Sequence, residues 1–94
     1  MALQMNYYHE PQDFTYMNAY WRINPNFGIS GGKNGLKYTI EVFKNAKSAH
    51  QENFKCLKGF TYSFIPDLRK SAPNIFVQAY NHAKAGKYSE SVDI

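Results

Sequence analysis

The sequence predicts an α+β fold: an antiparallel sheet of about four strands with one C-terminal helix packed on one face. Three observations carry this. Leu36, Tyr38, Ile40 and Val42 alternate with Lys37, Thr39 and Glu41, the period of two that marks a half-buried strand. Phe60, Tyr62 and Phe64 alternate in the same way with Thr61, Ser63 and Ile65, and Pro66, which cannot donate to a ladder, ends the run. Beyond it, Ile75, Phe76, Ala79, Tyr80 and Ala83 recur at the three-and-four spacing of one helical face, with Gln78, Asn81, His82 and Lys84 opposite.

The first strand is expected over residues 1–9, where Leu3, Met5 and Tyr7 alternate with Gln4, Asn6 and Tyr8; an edge position suits it. Residues 10–13 contain Pro11 and read as a turn. The second strand spans 18–24, with Ala19, Trp21 and Ile23 on one face and Tyr20 and Arg22 on the other. Asn24-Pro25-Asn26 interrupts it, because the residue before a proline is pushed to extended conformations and the proline breaks the ladder. Residues 27–35 hold four glycines and read as the most flexible loop of the chain. The third strand is 36–43. Residues 45–53 are polar and predict a loop or a short helical turn; 54–65 returns as the fourth strand.

The closing helix should begin at Pro73, with Ser71 or Ala72 near the cap, and end at Gly86 in the left-handed conformation. Periodicity alone would also allow residues 75–80 a strand; the flanking proline and glycine favour the helix. An isolated helix this short is marginal in water, so its stability must come from lying on the sheet. Short connections favour an antiparallel meander, since parallel pairs need long crossovers. The face carrying Tyr20, Arg22, Lys37 and Thr39 is then left to water or to a partner, and it is the candidate contact surface.

The 94 residues allow a single domain with one modest core, and an aromatic share of 17% fills such a core with few side chains. No apolar run approaches the ~20 residues that span a bilayer, and no signal-peptide pattern opens the chain, so no membrane partner is expected. A single cysteine, Cys56, cannot form an internal bridge, which makes a reducing compartment the default. No Asn-x-Ser/Thr sequon occurs. The net charge of +4 suits a soluble face and would also attract phosphate or an anionic surface.

Chemistry-bearing motifs are sparse. Gly32-Lys33 suggests a phosphate loop, but that motif needs glycine where Phe27 stands and Ser or Thr where Asn34 stands. His9, His50 and His82 lie far apart, and none has a second imidazole or a thiolate at metal spacing. Cys56 lacks an acid–base partner in sequence, although Lys55 and Lys58 flank it and would lower its pKa slightly. The carboxylates form no evident pair. No catalytic residue, metal or cofactor is therefore expected, and an enzyme is disfavoured.

The segment Lys58-Gly59-Phe60-Thr61-Tyr62-Ser63-Phe64 resembles the ribonucleoprotein motif of RNA-recognition and cold-shock domains, in which a basic residue, a glycine and alternating rings line a sheet. Rings stack on unpaired bases at roughly 1–3 kcal/mol per base while lysines meet phosphates. Lys55, Lys58, Phe60 and Tyr62 would be the contacts. Thr61 departs from the motif's second small residue, and Ile65 stands where an aromatic is usual. The competing reading puts these rings in the core, under the helix.

Three further runs carry a broader resemblance: Ala19-Tyr20-Trp21-Arg22-Ile23, Tyr38-Thr39-Ile40-Glu41-Val42-Phe43 and Tyr62-Ser63-Phe64-Ile65-Pro66. With Asn74-Ile75-Phe76-Val77-Gln78-Ala79-Tyr80 and the ending Tyr88-Ser89-Glu90-Ser91-Val92-Asp93-Ile94, the chain resembles small structural and accessory proteins of tailed phages and prophages of Gram-positive bacteria. It departs from them at Ala85-Gly86-Lys87. The resemblance implies a non-enzymatic structural or assembly role near the tail tip or baseplate. It also implies a homo-oligomer or docking on other phage structural proteins, in the virion or in the host cytoplasm during assembly. A single-stranded nucleic-acid-binding module is the alternative.

Overall fold

The computed structural model describes residues 2–26, 28–50 and 56–94. Parts of four expected elements lie outside them: Met1 of the first strand, Phe27 of the glycine-rich loop, residues 51–53 of the polar connection, and residues 54–55 of the fourth strand.

The fold is α+β, with six strands and two helices among the described residues. Strand β1 (Leu3–His9) turns through a 3-10 turn (Glu10–Gln12), with Asp13 left-handed at φ 47°, into β2 (Phe14–Ile23). Strand β3 (Ile29–Gly32) and β4 (Gly35–Phe43) form a tight hairpin, with Gly32 opposite Gly35. Helix α1 (Ala46–Ala49) follows, capped by the Asn45 side chain, which accepts the Ser48 N–H at 2.9 Å. Strand β5 (Lys58–Phe64), helix α2 (Ile75–Ala85) and β6 (Val92–Asp93) complete the chain.

The expected meander is present, since β1, β2, β4 and β5 are successive antiparallel neighbours. Three features alter it. Strand β1 lies between β2 and the two-residue β6, which pairs with it only at Leu3 and Gln4, so the expected edge position holds only for residues 5–9 among the described residues. Strand β2 begins at Phe14, earlier than expected, and is lengthened by a bulge at Met17–Asn18, where Asn18 takes φ 53° and its N–H is accepted by the Asn6 side chain at 2.8 Å. The glycine-rich segment is not simply a loop: β3 pairs with β4 on the same side as β2. β3 thus continues β2 after an excursion at residues 24–28. Gly28 closes that excursion, donating to the Asn24 carbonyl at 2.9 Å and accepting from the Thr39 N–H at 2.9 Å. A Cβ there would stand 2.6 Å from the Asn24 backbone, so only glycine fits.

The core lies between the sheet and α2. Leu3, Ala19, Trp21, Ile23, Tyr38, Ile40 and Val42 are buried against Ala79, Tyr80 and Ala83. Both alternations therefore point as expected. Helix α2 starts at Ile75, two residues later than the expected Pro73: Asn74, in place of Ser71 or Ala72, is the cap and accepts the Val77 N–H at 2.9 Å, leaving Pro73 outside. Its end also differs, because Gly86 has φ −114° rather than a left-handed value. The Gly86 and Tyr88 N–H groups both donate to the Ala83 carbonyl, and this turn delivers Tyr88 into the core. Ile75, expected on the inner face, remains 37% exposed.

The C-terminal residues are docked by backbone. β6 pairs with β1, and the Ile94 N–H donates to the Ala2 carbonyl at 3.1 Å. The side chains of Val92 and Ile94 stay exposed. No helix among the described residues is long and apolar enough to cross a membrane.

Candidate contact surfaces

The sheet face opposite α2 carries Tyr20, Arg22, Lys37 and Thr39, as the alternation requires, but it divides into two parts. Tyr20 and Arg22 stand opposite Phe43 and Glu41 in the ladder. The Arg22 guanidinium lies over the Phe43 ring, 5.1 Å from its centre, and the Tyr20 ring meets His50 edge-on at 5.9 Å. Phe43 and Ala49 are buried, so α1 and its cap cover this end and leave Tyr20 and Arg22 only half-exposed. Among the described residues, Arg22 Nε and Glu41 Oε1 are buried with no hydrogen-bond partner. Lys37 and Thr39 lie farther along β4, opposite Ser63 and Thr61 of β5. There Thr39 Oγ1 and Thr61 Oγ1 share a hydrogen bond of 2.9 Å.

The ribonucleoprotein-like segment is β5 itself. Its rings point to the helix side, opposite Leu36, Tyr38 and Ile40. Phe60, Tyr62 and Phe64 are half-buried against the core. The Tyr62 hydroxyl hydrogen-bonds that of Tyr88 at 3.0 Å, and Phe64 stacks on His82 at 5.7 Å. Lys58 Nζ sits 5.2 Å over the Phe60 ring. These two residues, with Tyr7, Tyr8, Glu10 and Pro11, line an open cleft of about 600 Å³. Lys55 lies outside the described residues.

Two groups behave otherwise than their sequence neighbours suggest. Burial and the nearby Glu41 carboxylate push the Cys56 thiol up, against the small lowering expected from Lys55 and Lys58. The histidines serve the packing separately. His9 Nδ1 bonds the Tyr7 hydroxyl at 2.9 Å, His82 Nδ1 bonds that of Tyr38 at 2.7 Å, and His50 meets Tyr20. Among the described residues, no group of three or more His, Cys, Asp or Glu is placed to hold a metal. Burial, with Tyr62 adding a smaller effect, raises the Tyr38 hydroxyl to about 12. Tyr88 is raised as well, first by burial and then by its bond to Tyr62.

A third surface was not anticipated. The end of the β1–β2 hairpin exposes Tyr8 (53%), Phe14 (55%) and Met17 (67%). The hairpin is stiffened from within. Tyr8 donates to Asp13 Oδ1 at 2.6 Å, Tyr16 donates to Gln12, and the Phe14 and Tyr16 rings meet edge-on at 4.8 Å. The sequence signal was the apolar residues on both sides of the turn, at positions that do not keep one parity across Met17–Asn18.

Comparison of the chain with models of known protein families, with curated proteins and with solved structures finds no match.

Proposed function

We propose that this chain is a non-enzymatic contact protein, a structural or assembly component of the tailed-phage kind that its sequence resembles. The observation that carries the reading is the stiff hairpin end with three large apolar side chains in solvent. Tyr8 and Phe14 project from opposite faces of the hairpin, since Tyr8 stands opposite Thr15 and Phe14 opposite His9. Exposed apolar side chains held on a rigid arm are anchors that gain by docking, because they lose little freedom on burial. Proteins that work by repeated contact need such anchors and no reacting groups. The tail tip or baseplate is the setting proposed for it.

The test is sedimentation of the purified chain with tails of the phage or prophage whose genome encodes it. The wild type is expected in the pellet, and the Phe14→Ser, Met17→Ser double variant in the supernatant with its fold unchanged. A wild type that stays in the supernatant overturns the reading.

One arrangement favours a second reading, the single-stranded nucleic-acid module: Lys58 over Phe60 beside an open cleft. It is the weaker proposal, because Tyr62 and Phe64 use their ring faces and edges on Tyr88, Tyr38 and His82. Salt-dependent retention on an immobilised oligothymidylate would support it.

A further inference from the structure

We propose that the free edge of β5 pairs antiparallel with the same edge of a second copy, across a two-fold axis at Thr61. This rests on the contact-protein reading and names one partner for it, the chain itself.

The direction of each backbone group on β5 follows from a hydrogen bond two strands away. The Thr39 N–H donates to Gly28, on the β3 side of β4. Backbone groups alternate along a strand, so Leu36, Tyr38, Ile40 and Val42 turn theirs towards β5. Their partners Phe64, Tyr62, Phe60 and Lys58 answer them. Gly59, Thr61 and Ser63 therefore direct N–H and C=O outward, and β4 is the only strand that pairs with β5 among the described residues.

The usual protections of an edge are missing from this one. Residues 58–64 contain no proline, and Lys58 at the end is the only charge. No bulge interrupts the seven pairs from Lys58 to Phe64. A copy rotated about Thr61 satisfies the three outward residues at once: Gly59 faces Ser63, Thr61 faces Thr61, and Ser63 faces Gly59. About six interchain hydrogen bonds result, two from each narrow pair. This register is also the one that suits the side chains. On the helix side Phe60 meets Tyr62 of the other copy, and Lys58 meets Phe64, so rings left half-exposed by their own domain gain aromatic and cationic neighbours. No like charges oppose each other. The interface is isologous, as a closed dimer requires, and the two sheets become one continuous sheet.

The test is the molar mass of the purified chain by light scattering, for the wild type, Thr61→Lys, Thr61→Glu and an equimolar mixture of the two variants. Thr61 is exposed and its hydroxyl shares a hydrogen bond with Thr39, also on the exposed face, so both variants should keep the domain fold. The wild type is expected to be a dimer and each variant a monomer, since each places two like charges on the axis. The mixture should return to a dimer as lysine meets glutamate. A monomeric wild type overturns the proposal, and so do variants that dimerise like the wild type or a mixture that stays monomeric. If a variant does not fold, amide exchange in the wild type decides: the Gly59, Thr61 and Ser63 amides must gain protection as concentration rises, and fast exchange throughout overturns the pairing. A monomer that still sediments with tails removes self-pairing and leaves the contact reading standing. A dimer that does not sediment does the reverse.

Discussion

The Tyr80 hydroxyl accepts the backbone N–H of Ile23 at 2.7 Å, a helix side chain standing where a strand carbonyl would otherwise be. Ile23 lies opposite Ile40 on one side. On the other side its N–H points past Leu3, which is already paired with Trp21, so the described part of β1 offers no carbonyl there. The helix thereby completes the sheet, and both partners are buried. Tyr80→Phe keeps the ring and removes the acceptor. Leaving a buried donor unsatisfied costs about 1–3 kcal/mol. A urea melt should show that loss with an unchanged slope.

Alkaline pH should unfold the domain through its buried tyrosines. In the folded chain burial raises the Tyr38 hydroxyl to about 12 and also raises that of Tyr88 above the ordinary value of about 10. Above pH 10 the unfolded chain loses these protons while the folded one keeps them. Their contribution is therefore fully present below 10 and declines as pH rises towards 12. The slope is about 1.4 kcal/mol per pH unit for each such tyrosine. Melts at stepped pH read this directly, and Tyr88→Phe should flatten the fall.

The two neighbouring glycines of the β3–β4 hairpin should respond differently to alanine. Gly31 has φ +114°, and a Cβ there would lie 2.5 Å from the Gly35 carbonyl oxygen. Gly32 has nothing within 4 Å of such a Cβ. Gly31→Ala should cost about 1–3 kcal/mol, the cost of holding a side chain in a sparsely populated backbone region. Gly32→Ala should change stability little. Equal thermal shifts in the two variants would contradict this backbone assignment.

Truncating the β5 rings should damage the fold before it damages any binding. Phe60 packs against Trp21 at 6.0 Å and Tyr7 at 6.2 Å, and Tyr62 against Tyr38 at 5.6 Å. Because both are half-buried, Phe60→Ala should lose somewhat less than the roughly 3–5 kcal/mol of a fully buried phenylalanine. Lys58→Ala, which removes only an exposed cation over that ring, should lose about 1 kcal/mol or less. Chemical denaturation of the two variants checks the order.

The strands around Ile40 and Tyr62, and the helix around Ala79, were legible because each has one buried face, and a buried face writes its period into the residue types. Asn45 and Asn74 illustrate the limit: both are capping residues whose role depends on where the backbone turns, and Pro73 was the louder local signal. Tyr88 opens the last segment of the chain, and no periodicity surrounds it. It is core only because the turn at Gly86 swings it between Trp21 and Tyr62, with ring distances of 5.2 and 5.8 Å. Of the candidate surfaces, Tyr20, Arg22, Lys37 and Thr39 share the predicted face, yet α1 closes one end of it. The hairpin end went unread because the bulge at Asn18 resets the parity of β2.

By itself the sequence determined the class of fold, the order of its main strands and which side of each strand faces the helix, since these follow from local alternation and from proline. Only the tertiary structure decided that β3 continues β2, that the last residues pair with β1, and that β5 has β4 as its single partner strand among the described residues. Those are contacts between segments distant in the chain, and no local pattern encodes which backbone groups remain without a partner.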